Sequence, residues 1–148
     1  LHGVLGAQVP KLDLELAPRI ARQLADAIAE GLVASCHDCS EGGLAVALAE
    51  MAFAGGLGLE ADLRALPRSR DCSAPAAQLF SESNSRYLVE VKPEDYGAFA
   101  KRMLNLPFGQ LGLVTSEPRL VITAENGRQI VDADIDILKQ AWQRTFDW

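Results

Sequence analysis

The sequence predicts an α+β layered domain, with helices packed on a mostly antiparallel or mixed β-sheet. Apolar residues recur at helical spacings of three and four in several segments, separated by short apolar runs bounded by Gly, Pro and polar clusters. Near the C-terminus, Asn126-Gly127 lies between two β-rich runs, which is the strongest local hairpin signal in the chain. The 148 residues, 49% hydrophobic and 23% charged, suit a single domain, residues 1–148, with one sizeable core.

A Gly- and Pro-marked lead-in over residues 1–12 precedes the first helix. There Leu16, Ile20, Leu24, Ala27 and Ile28 form the apolar stripe, and Arg22, Gln23, Asp26 and Glu30 lie opposite. Pro18 belongs to its first turn and Gly31 to its end. Leu32 to Cys36 reads as a buried strand feeding a loop at His37 to Ser40. Leu44, Leu48, Met51 and Ala52 mark a second helix, stopped by the glycines from Gly55 to Gly58.

Gly58 to Leu63 reads as a strand, and Arg64 to Ala76, with Pro67 and Pro75, as a surface loop. A further strand covers Tyr87 to Val91. Pro93 then opens a helix carrying Tyr96, Phe99, Ala100, Met103 and Leu104. Leu111 to Thr115 is predicted as a strand beside the hairpin of Leu120–Thr123 and Gln129–Val131, whose Asn-Gly turn suits type I′. Ile135, Leu138, Ala141 and Trp142 mark a closing helix. The expected order is α-β-α-β-β-α-β-β-β-α, without internal repeats.

Several function classes are excluded at this level. The net charge of -6 and the absence of a basic run argue against nucleic-acid binding, so a phosphate-bearing ligand would be held by backbone amides or a metal. No apolar run approaches the roughly 20 residues needed to cross a bilayer. The opening Leu1-His2-Gly3-Val4-Leu5-Gly6 lacks a signal-peptide pattern and reads as the start of an excised C-terminal piece, with a cytoplasmic home expected. Three cysteines do not make a disulfide framework.

Chemistry concentrates at His37-Asp38-Cys39-Ser40-Glu41-Gly42-Gly43-Leu44, where a strand end meets a helix start. Ser40 is the expected N-cap, placing Gly42 and Gly43 in the first turn. Glycine costs about 1 kcal/mol relative to Ala in a helix, so the pair needs a reason. Either an anion approaches the N–H groups of Gly42 and Gly43, or the helix packs closely on the sheet. Asp38 is a candidate Mg²⁺ ligand or a turn-forming residue. Cys36 and Cys39 invite a zinc or dithiol reading, with His37, Cys72 and His2 the only further soft ligands, but they read better as small buried hydrophobes. The polar run Ser81 to Arg86 is a turn or a recognition loop, in which Glu82 and Ser83 offer hydrogen bonds to a ligand. No Ser-His-Asp or Cys-His nucleophile arrangement is apparent, so no residue is assigned as catalytic.

Taken together, the segment from His37 to Gly58, the later Leu79-Phe80-Ser81-Glu82-Ser83, and the closing Leu138-Lys139-Gln140-Ala141-Trp142 resemble the synthetase subunit of the phosphoribosylformylglycinamidine synthase family. The similarity is to its second domain of the aminoimidazole ribonucleotide synthetase C-terminal type, and it covers about Val9 to Trp142. It implies that fold, together with ATP and Mg²⁺ as cofactors of the parent enzyme. The implied reaction is the ATP-dependent conversion of formylglycinamide ribonucleotide to its amidine. It also implies as partners the remaining synthetase domains, a glutaminase subunit, a small accessory subunit and the ribonucleotide substrate. By analogy with the other half of the synthetase, Asp38 stands at a metal position and Glu82, Ser83 and Asn84 at a substrate- or nucleotide-binding position. Cys39 replaces a usual aliphatic residue and Asn84 a Gln, so a structural or auxiliary nucleotide-binding role is implied rather than catalysis by this domain alone. The C-terminal domain of a related aminoimidazole ribonucleotide or selenophosphate synthetase, or a non-catalytic packing module, is the alternative.

Overall fold

A computed structural model describes residues 10–69 and 72–144. The opening Leu1 to Gly6, His2 with its part in the zinc reading, and most of the lead-in lie outside the described residues. Helix α1 (Leu16–Ala29) starts where Asp13 Oδ1 accepts from the N–H groups of Glu15 at 3.0 Å and Leu16 at 2.8 Å, and Pro18 falls in its first turn. Leu24 and Ala27 are buried, as the stripe predicts, whereas Ile28 is exposed.

Strand β1 spans Ser35–Asp38, later than the apolar run suggested, because pairing and not hydrophobicity sets its limits. It runs antiparallel to β3 (Tyr87–Glu90), with Ser35 opposite Glu90 and Asp38 opposite Tyr87. His37 and Asp38, expected in a loop, are therefore strand residues.

A second sheet has the order β4-β2-β5-β6, formed by Gly112–Thr115, Gly58–Asp62, Arg119–Thr123 and Gln129–Asp134. β2 and β5 are parallel and the other pairs antiparallel. β4 thus lies against β2 instead of beside the hairpin, because β2 stands between β4 and β5 and the segment joining them passes over Gly58, where a Cβ would stand 1.7 Å from Glu117 O.

The β5–β6 hairpin forms as expected, but its turn is not type I′. Only Gly127 is left-handed, at φ 78°; its N–H bonds Ala124 O at 2.9 Å, and Ala124 N–H bonds Arg128 O at 2.8 Å. This wider loop accompanies a register shift at Ile122/Thr123 and needs only one positive φ.

Helix α2 (Gly43–Gly55) is apolar on nearly all sides because it is covered on nearly all sides. Its Leu44, Ala47, Leu48 and Ala52 pack with Ala61 of β2, Leu120 and Ile122 of β5, and Ile135, which opens α5 (Ile135–Gln143). Leu48, Leu63 and Ile122 are the largest fully buried side chains.

A helix missed by sequence reading, α3 (Pro75–Phe80), starts at the end of the predicted loop and continues past it, with Pro75 in its first turn. It packs on α2 through buried Leu79. Helix α4 (Tyr96–Arg102) starts after Pro93, and its Phe99, with Met103 and Ala27 of α1, forms a smaller second core.

Candidate functional site

The strand register decides which predicted residues meet. Asp38 ends β1 opposite Tyr87, so the turn from Asp38 to Gly42 faces the turn from Glu82 to Arg86 across the end of the β1–β3 ribbon. The two turns enclose a groove of about 290 Å³ lined by residues 38–41 and 82–87. Asp38, Glu82, Ser83 and Asn84, predicted from separate motifs, all line it. Cys39, Ser40, Glu41, Ser85, Arg86 and Tyr87 join them. Ser85 and Arg86 belong to the run read as a turn or recognition loop; Cys39, Ser40, Glu41 and Tyr87 were not read as ligand-facing, and the antiparallel register places them there.

The helix start differs from expectation. Ser40 is not the N-cap: its hydroxyl donates to Asp38 Oδ2, and the cap position belongs to Gly42, left-handed at φ 75°. Gly43 begins the helix, also left-handed at φ 66°. A Cβ on Gly43 would stand 2.8 Å from both Leu79 O and Ser81 O. Close approach of the α2 start to the backbone at the C-terminal end of α3 therefore accounts for Gly43. The N–H of Gly42 donates to Glu82 Oε1 at 2.9 Å, and that of Gly43 reaches Ser40 O at 3.4 Å. Both amides proposed as anion donors thus have partners within the chain.

The groove is acidic. Among the described residues, Asp38, Glu41 and Glu82 share the groove with one guanidinium, Arg86, whose nitrogens donate to the carbonyls of Ser81 at 3.0 Å and Gln78 at 3.2 Å. The Ser40 hydroxyl holds the Asp38 carboxyl below the usual carboxylate range, so Asp38 is ionised near neutral pH. Among the described residues no group of three potential ligands converges to cage a metal. Asp38 offers one carboxylate, so a hard cation held there would take most of its oxygens from water and ligand.

In the facing turn, the Ser83 hydroxyl lies 2.6 Å from that of Ser81, and the Asn84 amide nitrogen lies 3.4 Å from Pro10 O. Ser85 is left-handed at φ 61°, a conformation that strains a non-glycine residue and gives this turn its shape.

The cysteine readings are now separable. Cys39 is buried, and burial pushes its thiol up despite the opposing charge of Arg86. Cys36 is exposed, which corrects the expectation that both are buried; all three cysteines are free. His37 points its Nε2 at Glu50 Oε2, 2.9 Å away, and Trp142 Nε1 donates to Glu50 Oε1 at 2.8 Å. His37 thereby ties β1 to α2 and α5, apart from both thiols' chemistry.

The profile of a family described as AIR synthase related protein, C-terminal domain, matches residues 2–125. The phosphoribosylformylglycinamidine synthase subunit PurL of Deinococcus radiodurans is 41% identical over 145 residues, covering 97% of this chain but 19% of that protein. This chain is thus similar to about a fifth of that relative's length. In fold it is similar to PurLQS from Thermotoga maritima, with TM-score 0.78 and 22% identity over 88% of this chain and 23% of the other. The T. maritima PurL complexed with FGAR gives TM-score 0.75 at 23% identity, over 88% and 22% of the two chains. The hydrogenase maturation protein HypE, at TM-score 0.66 and 16% identity over 78% and 41%, shares the same fold more distantly.

Proposed function

We propose, from the premise that this chain belongs to the AIR synthase related protein, C-terminal domain family, that it serves as the C-terminal domain of the synthetase subunit of a phosphoribosylformylglycinamidine synthase. In the intact enzyme, ATP and Mg²⁺ drive replacement of the amide oxygen of formylglycinamide ribonucleotide by ammonia, a C–N ligase reaction of cytoplasmic purine biosynthesis. The partners of this domain are the remaining synthetase domains, a glutaminase subunit and a small accessory subunit. Support comes from the 41% identity to the D. radiodurans subunit bearing that name. The T. maritima structures complexed with ATP and with FGAR concern those proteins and lend the ligand chemistry.

The observation that carries the reading is the meeting of Asp38 with Glu82, Ser83 and Asn84 in one groove. Its acidity determines how a phosphate-bearing ligand enters. Three carboxylates repel a bare phosphate, so a phosphate ligand would need a compensating Mg²⁺, which Asp38 would help to hold and which would offset the negative charge, while Ser83 and Asn84 offer neutral hydrogen bonds. In this reading Gly42 and Gly43 supply backbone close to the phosphate once Glu82 yields the Gly42 amide. Phosphoryl transfer needs groups assembled from several domains, so this groove binds in an auxiliary role and does not itself catalyse.

The occupied Gly42 amide and the backbone-shielded Gly43 favour a second reading, in which the same turns only brace the domain within the synthetase. Two assays separate the possibilities. The purified chain is expected to form no amidine from formylglycinamide ribonucleotide, ATP and ammonia, whereas the full-length protein from the same coding region does; the reverse pattern overturns the assignment. In that full-length protein, Mg²⁺-dependent ADP binding that Asp38→Ala abolishes supports the auxiliary site, and binding indifferent to Asp38→Ala leaves only the brace.

A further inference from the structure

A second anion-competent place lies far from the groove in sequence, between α1 and α4. Arg19, Arg22 and Gln23 of α1 meet Arg102, Leu104 and Leu106 around a pocket of about 140 Å³. Three guanidiniums thus converge in a chain of net charge -6. No run of basic sequence announces this, because the arginines stand three residues apart on one helix and at the end of another.

Two of the three are already engaged. Arg102 pairs with Glu30 through both carboxylate oxygens, reaches Gln23 Oε1 at 3.4 Å and lies 3.7 Å from Asp26. Arg19 donates to Asn105 O at 3.3 Å, leaving most of its N–H groups unused. Among the described residues nothing pairs with Arg22. An arginine without an internal partner, facing a pocket beside a second underused guanidinium, contributes to no contact that the fold requires. Two forks, those of Arg22 and Arg19, offer the planar, multidentate donor set that phosphate oxygens accept, whereas the charge of Arg102 is already offset by Glu30 and Asp26. Leu104, 68% exposed, supplies apolar surface for the organic part of such a ligand.

We infer that this pocket binds the phosphate group of a small organic phosphate, with Arg22 and Arg19 as the recognising residues and Arg102, held by Glu30, as part of the pocket wall. Removing Arg22 costs no internal contact, so Arg22→Ala separates binding from folding.

The test is an amide chemical-shift titration of the 148-residue chain with inorganic phosphate, with ribose 5-phosphate and with acetate. Saturable shifts confined to residues 19–23 and 102–106, from both phosphates but not from acetate, are expected. Arg22→Ala should weaken that binding roughly tenfold or more, the loss of one charged hydrogen-bond pair, with an unchanged melting temperature. Saturation by inorganic phosphate as tight as by ribose 5-phosphate would mean that a free phosphate is the ligand and would overturn the organic-phosphate assignment. Unsaturable or dispersed shifts, equal response to acetate, or binding unaffected by Arg22→Ala would overturn the site altogether.

Discussion

The N–H of Gly42 donates to the carboxylate of Glu82 across 40 residues of sequence, at 2.9 Å. The chain therefore fills with its own anion the position where a helix N-terminus would otherwise receive an external one. On the proposed reading, a phosphate entering the groove would meet the charge of Glu82 and would need a cation to offset it.

Phosphate-ligand binding in the groove should accordingly be Mg²⁺-dependent, and Glu82→Gln should reduce that dependence. The amide oxygen of the substituted side chain still accepts from the Gly42 N–H while one negative charge is gone. Calorimetric titration of ADP into the full-length protein, with Mg²⁺ and with EDTA, reads the difference. An unchanged Mg²⁺ dependence in Glu82→Gln would show that this carboxylate does not control entry.

Gly43→Val should act on stability first. The new Cβ would stand 2.8 Å from two backbone carbonyls, which cannot swing aside as a side chain can, and the left-handed φ adds strain. A loss of about 2 kcal/mol or more is expected in urea unfolding. A variant as stable as the parent would mean that the α2 start and the turn after α3 are not tightly joined.

Ser40→Ala should raise the Asp38 pKa, because the hydroxyl of Ser40 is the largest cause of its depression. A carboxyl depressed in the folded state stabilises at pH above the ordinary value of 3.8, and that contribution is lost as pH falls through the folded value. The Ser40→Ala protein should therefore lose less stability than the parent on acidification below 3.8. Carbon-detected NMR titration of the Asp38 carboxyl follows the shift directly, and an unmoved titration curve would assign the depression to another group.

Iodoacetamide should label Cys36 well before Cys39 in the native protein, since Cys36 is exposed and Cys39 is covered, while burial pushes both thiols up. Mass spectrometry of partial labelling distinguishes them. Equal rates at the two thiols, or protection of both by stoichiometric zinc, would revive the paired-cysteine site.

The sequence was most informative where periodicity and burial coincide. The stripe through Leu24 and Ala27 and the apolar run through Leu44 and Leu48 each placed a helix correctly, because side-chain period is a local property of the chain. It was least informative where a partner sets the limits. β1 moved from 32–36 to Ser35–Asp38 because its residues pair with Tyr87–Glu90. α3 escaped notice because six residues are too few to show a stripe, and packing of Leu79 on α2 sustains them.

The sequence by itself determined the α+β class, the strand-turn-helix around Asp38 and the polar run at Glu82, since each is written in contiguous residues. Only the tertiary structure decided that these two turns form one groove, that Glu82 takes the Gly42 amide, and that Arg19, Arg22 and Arg102 surround one pocket. The physical reason is common to all three. Strand register and helix packing bring together residues that no local spacing relates, and charge acts through that proximity in space.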